Sequence, residues 1–163
     1  RRANWVVDVK IPLRNVADFG ALGYVVGRVV GNGIPYFRDL ARWLPPLPSR
    51  EQLADGGAAV DRLKAMGAAL AAYGAVPLYH IDGYTPEAKD AGEALVAPDA
   101  RYLQVDRLTP AIAAMDADPD VQQIDLVTIG CPHASLHELS LVADFVGGKQ
   151  LRTKLWVTTA RQT

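Results

Sequence analysis

Residues 124–130 read IDLVTIG, and residues 135–148 read SLHELSLVADFVGG. The first stretch is a nearly continuous apolar run, the pattern of a strand buried on both faces. The second repeats apolar residues at helical spacing, with Leu136, Leu139, Val142 and Phe145 on one face and Gly147 and Gly148 as its stop. A strand covered on both faces and followed at once by a helix restricts the chain to folds that lay helices on a parallel sheet.

The same alternation runs upstream. NWVVDVKIPL (4–13) reads as a strand bounded by Pro12. DFGALGYVVGRVVGNG (18–33) spaces Phe19, Leu22, Val25 or Val26, and Val29 as a helix face, with Asp18 as its N-cap and Gly31 as its stop. Gly20, Gly23 and Gly27 lie inside that helix, where each costs about 1 kcal/mol against alanine, so close backbone packing is expected around them. ARWLPPLPSREQLADGG (41–57) reads as an ordered surface loop. A helix follows over 57–73, with Val60, Leu63, Gly67 and Leu70 on its inner face, then a strand over 77–81 ended by Gly83. RYLQVD (101–106) and KLWVTTA (154–160) complete the strands, and LTPAIAAMDA is a helix with Thr109 as cap and Pro110 at its first position. The expectation is one α/β domain over 1–163, with a mainly parallel sheet and flanking helices. The last strand is followed by only a few residues, so an internal segment of a longer chain is expected.

The 163 residues carry a net charge of −1, with Lys and Arg scattered. That balance shows no nucleic-acid or membrane-surface footprint. No apolar run approaches the roughly 20 residues of a membrane span. The single cysteine cannot form an internal disulfide, and a cytoplasmic location is expected.

Ligands of open α/β sheets bind beyond the carboxyl ends of strands. Two polar clusters fall there: YHIDGYTPEA (79–88) and GCPHAS (130–135). In the second, Cys131 lies between a strand and a helix N-terminus, a place that favours a thiolate. It suits a nucleophile, a metal ligand or a small buried side chain. Ser135 and Glu138 have the spacing of a capping box, His133 lies in the loop, and His137 is expected on the solvent side. In the first cluster Thr85, Pro86 and Glu87 have the form of a capped helix start, which also aims N–H groups at an anion.

The strings G-C-P-H-x-S-x-x-E-L and H-x-x-G-x-T-P-E-A, with GALGYVVG upstream and KLWVTTA downstream, resemble the catalytic large part of the aconitase X family over nearly the whole chain. The resemblance implies a hydro-lyase acting on a small hydroxy acid, of the cis-3-hydroxy-L-proline or phosphomevalonate class. It implies an iron–sulfur cluster with Cys131 as one ligand. His133, Ser135 and His80 become expected catalytic residues, and Thr85, Glu87 and Gly83 expected substrate-binding ones. The remainder of the large chain and a small swivelling domain or subunit are the implied partners. The fragment alone is expected to be inactive. Tyr84 and His137 depart from the family pattern, which has an aliphatic and an acidic residue there. Two alternatives remain: an α/β domain that binds an anionic metabolite, and a cysteine-nucleophile enzyme using Cys131 and His133.

Overall fold

A computed structural model describes residues 1–47, 49, 57–116 and 118–161. Pro48, residues 50–56 and Ala117 lie outside the described residues, so the surface loop expected over 41–57 is seen only at its two ends. The elements alternate: β1 (Ala3–Val9), α1 (Val16–Val30), β2 (Pro35–Arg38), α2 (Ala58–Gly74), β3 (His80–Ile81), α3 (Pro86–Ala91), β4 (Val96–Val105), α4 (Thr109–Met115), β5 (Leu126–Ala134), α5 (Leu136–Val146) and β6 (Lys154–Thr159). A 3-10 turn spans Leu40–Trp43.

The first four strands form a parallel sheet in the order β3-β2-β1-β4, and β5 and β6 form a separate parallel pair. β1 is central, and both Val6 and Val7, which point to opposite faces, are buried. Val7, Phe19, Leu22, Val26, Phe37, Leu40, Met66, Leu70 and Ile81 are the centre of the core. Each such side chain contributes about 1.5–3 kcal/mol on full burial.

Two of the three glycines inside α1 mark its crossing with α2. A Cβ on Gly23 would lie 2.5 Å from the Met66 carbonyl oxygen, and one on Gly27 would lie 3.2 Å from that of Leu70. Gly20 faces open space, so close packing does not account for it.

Several local expectations shift. Asn15, not Asp18, caps α1: its side chain accepts from the Asp18 N–H at 2.9 Å, while the Asp18 carboxylate accepts from the Arg14 N–H at 2.7 Å. Val30 rather than Val29 completes the inner face of α1, because Val29 is exposed. On α2 the buried positions are Ala59, Asp61, Met66 and Leu70; Val60 and Leu63 are only half-buried. Thr109 begins α4 instead of capping it. The strand expected over 77–81 shortens to His80–Ile81, and β4 starts five residues before RYLQVD.

The largest difference concerns β5. Ile124, Leu126 and Val127 are exposed, and Phe145 on α5 is 71% exposed. Here β5 has one strand neighbour, and its apolar residues border an open hollow of about 450 Å³ against Leu141, Phe145 and Leu151. The apolar pattern does form a strand and a helix. Cover on both faces is not supplied among the described residues.

Candidate functional site

GCPHAS does not follow β5 as a loop; it is a bulge inside it. The β5–β6 pairing shifts register between Ile129 and Ala134. Gly130 makes this possible, at φ +108°, with the Thr158 carbonyl where a Cβ would stand. The bulge carries Cys131 and His133 out of the ladder, and both are exposed. Pairing resumes at Ala134, which is buried.

Ser135 then starts α5. Its hydroxyl accepts from the Glu138 N–H at 3.1 Å, and the Glu138 carboxylate accepts from the Ser135 N–H at 2.9 Å. This is the expected capping box; losing such a serine costs about 1 kcal/mol.

A second helix meets this junction. Asp61 of α2 is 2% exposed. Its carboxylate accepts from the Ser135 hydroxyl at 3.0 Å and lies 2.6 Å from His137 Nδ1. One turn on, Lys64 donates to the His133 carbonyl at 2.8 Å and forms an ion pair with Glu138. Burial works to raise the Glu138 pKa, but the Lys64 ammonium and the Ser135 N–H and hydroxyl outweigh it and hold the carboxyl below its ordinary value. His137 is therefore not an ordinary surface residue, although its side chain is 44% exposed.

Cys131 and Lys64 border an open groove of about 890 Å³, whose walls include Leu47, Leu63, Gly67, Ala71 and Tyr79. Gly67, Ala71 and Tyr79 also line an adjoining cleft of about 420 Å³ that reaches Thr85 and Glu87. The two polar clusters thus border two neighbouring hollows that share Gly67, Ala71 and Tyr79 as walls. Burial raises the pKa of the Tyr79 phenol, with Tyr84 nearby adding to the effect.

The remaining expected residues are placed as follows. Thr85 occupies the N-cap position of α3 ahead of Pro86, as expected, but its side chain makes no capping bond: its hydroxyl accepts from the Ile81 N–H at 3.1 Å and donates to the Ile81 carbonyl at 3.3 Å. Gly83 forms the turn between them at φ +62°. Glu87 is exposed in the first turn of α3. His80 is 1% exposed and does not line the groove; its Nε2 lies 3.1 Å from the Arg1 carbonyl oxygen, and its buried Nδ1 has no hydrogen-bond partner. Beside it in β2, Tyr36 donates to Asp82 at 2.5 Å, and burial followed by that bond raises the Tyr36 pKa.

Sequence reasoning missed Asp61 and Lys64, and the contact that His137, exposed as expected, makes with Asp61. Asp61 and Lys64 lie in an alanine-rich helix, where charged residues ordinarily mark the wet face. Their partners are about seventy residues away in sequence, so no local spacing could reveal them.

The donor set bears on a metal group. Cys131 is a free, exposed thiol at the groove, which suits one ligand of a cluster. Among the described residues, no three His, Cys, Asp or Glu side chains converge to hold a metal ion. A single exposed thiol offers one ligand to such a group and cannot hold it unaided. Among the described residues, no helix is long and apolar enough to cross a membrane.

Comparison with known proteins gives a consistent result. The model of the aconitase X second domain matches residues 3–109, and that of the third domain matches residues 124–163. The chain is 36% identical over 165 residues to the phosphomevalonate dehydratase large subunit of Methanothermobacter thermautotrophicus, covering 98% of this chain and 35% of that one. It is 33% identical to the cis-3-hydroxy-L-proline dehydratase of Hypocrea jecorina, covering 95% of this chain and 26% of that one. Among solved structures, the holo-form of Thermococcus kodakaraensis aconitase X superimposes with a TM-score of 0.74 at 33% identity, covering 99% of this chain and 38% of that one. The chain thus spans about a third of the length of these relatives.

Proposed function

The chain belongs to the aconitase X family, and from that premise we propose that it is part of the large chain of a hydro-lyase that dehydrates a small hydroxy acid. The observation that carries this reading is the pair of neighbouring hollows, one bordered by Cys131 and Lys64 and the other by Thr85 and Glu87, that share Gly67, Ala71 and Tyr79 as walls. Relatives named for phosphomevalonate and for cis-3-hydroxy-L-proline support the substrate class.

In this reading Cys131 is one ligand of an iron–sulfur cluster. The cluster, when bound, would supply Lewis acidity toward a leaving hydroxyl. The other steps fall to the chain. A proton alpha to the substrate carboxylate must be taken by a base within hydrogen-bond reach. His133, exposed two residues from Cys131, is the candidate carrier. Ser135 acts with it, its hydroxyl oriented by the Asp61 carboxylate. Thr85, Glu87 and the Gly83 turn form the substrate side. His80, expected to be catalytic, is buried in β3 outside both hollows and is given no catalytic step.

The partners in this reading are the rest of the large chain and a small subunit or domain, as relatives named large subunits suggest. A cytoplasmic location belongs to the same reading, on the strength of the lone unpaired cysteine.

The test is anaerobic purification of the full-length protein, with iron and sulfide analysis and turnover of each hydroxy acid separately. Stoichiometric iron and sulfide, visible absorbance lost in Cys131→Ser, and dehydration of one substrate are expected. A colourless protein with full dehydratase activity would overturn the reading.

A further inference from the structure

The hydrophobic cores end early in the chain. The larger draws on residues from Val7 to Ala111 and the smaller on residues from Ala3 to Val96. Of the described residues from 118 onward, Ala134 alone is buried. The part of the chain that carries Cys131 is therefore not held by an extensive apolar interface. What meets it is polar. Asp61 and Lys64, three residues apart on one face of α2, make four contacts with the β5–α5 junction: Ser135, His137, the His133 carbonyl and Glu138.

The geometry ties these contacts to the thiol. Lys64 grips the carbonyl two residues after Cys131 and lines the same groove. Asp61 grips Ser135, the first residue after β5, and His137, the second residue of α5. Asp61 is too deeply buried to be left without partners, since an unpaired buried carboxylate is strongly unfavourable. The bulge itself departs from the β5–β6 ladder, so the ladder alone does not fix where Cys131 stands.

We propose that Asp61 and Lys64 are positioning residues, which set the place of Cys131 over the groove from α2. The proposal rests on the reading of Cys131 as an iron–sulfur ligand. In the full-length protein, groups that hold a metal ligand in place typically change metal affinity or activity by about 10- to 100-fold when removed. Asp61→Asn removes the charge at unchanged size. Lys64→Met removes both Lys64 contacts and keeps the apolar stem. Lys64→Arg restores a donor.

The experiment follows iron release to a chelator, the electron paramagnetic resonance spectrum of the reduced cluster, and hydrogen exchange at residues 131–137. Asp61→Asn and Lys64→Met are expected to release iron about tenfold faster or more, to alter the cluster signal, and to exchange faster at the bulge. Lys64→Arg is expected to recover most of the difference. Iron release and signal within twofold of the parent in both variants would overturn the proposal, whatever the exchange shows. If Asp61→Asn does not fold, His137→Ala, which loses one contact of a half-exposed side chain, replaces it under the same criteria. Cys131→Ser separates the two readings: a cluster retained in that variant sinks the assignment of Cys131 and the positioning role with it. A cluster lost there but unaffected in the α2 variants sinks the positioning role alone.

Discussion

The Nδ1 of His137 lies 2.6 Å from Oδ2 of Asp61, across 76 positions of sequence. A carboxylate only accepts, so Nδ1 is the donor in this pair. A double-mutant cycle with Asp61→Asn and His137→Ala should return a coupling of about 0.5–3 kcal/mol. Additive losses in chemical denaturation would mean that the contact contributes nothing to the docking of α5 on α2.

Acid should loosen the same junction through Glu138. Its folded pKa is lowered from 4.5, because Lys64 and Ser135 overcome the opposing effect of burial. A group depressed in the folded state stabilises above its unfolded pKa, and the stabilisation disappears as pH falls through the folded value. Glu138→Gln should therefore lower stability at neutral pH and flatten the decline below the ordinary glutamate range. Parallel profiles of unfolding midpoint against pH for the two proteins would contradict this.

Two glycines of one helix should respond with opposite sign. Replacing glycine by alanine in a helix interior gains about 1 kcal/mol when space is free. Gly20→Ala meets nothing within 4 Å and should raise the thermal midpoint. Gly23→Ala places a Cβ 2.5 Å from the Met66 carbonyl oxygen and 2.8 Å from the Ala69 Cβ. Backbone cannot yield as a side-chain tip does, so overpacking of about 1–3 kcal/mol should exceed the gain. Equal shifts in both variants would show that the α1–α2 crossing is looser than described.

Gly130→Ala should displace the bulge. The residue has φ +108° and the Thr158 carbonyl against the site of a Cβ. Strain of about 1–3 kcal/mol is expected from the backbone alone. The readout is the rate at which a thiol reagent modifies Cys131, which should differ from the parent by severalfold while far-ultraviolet dichroism is kept. An unchanged rate would detach the bulge from the placement of the thiol.

Much of the fold was legible because short-range rules decided it. The helical spacing of Phe19, Leu22 and Val26 and the capping box of Ser135 and Glu138 depend on neighbours a few residues apart, and both hold in the structure. The aconitase X motifs also lie within single short segments, so the family could be read without a structure. Caps were less legible. Asn15 and Asp18 both have suitable side chains, and only the start of backbone bonding selects Asn15. Thr85 precedes Pro86 as a cap should, yet its hydroxyl turns back to Ile81 because β3 ends within reach.

By itself the sequence determined most of the strands and helices, their parallel α/β character and the two polar clusters, since periodicity and turn chemistry act locally along the chain. It did not reveal β2 (Pro35–Arg38), a run of 4 residues too short for a period to show, nor the division of the strands into a four-stranded sheet and a separate pair. Tertiary structure alone decided that β5 is exposed, that His80 lies apart from the groove, and that Asp61 and Lys64 meet the Cys131 segment. The reason is physical. Burial and buried charge pairs depend on which surfaces come together in space, and a carboxylate on an alanine-rich helix reads the same in sequence whether it meets water or, as Asp61 does, a histidine and a serine from the far end of the chain.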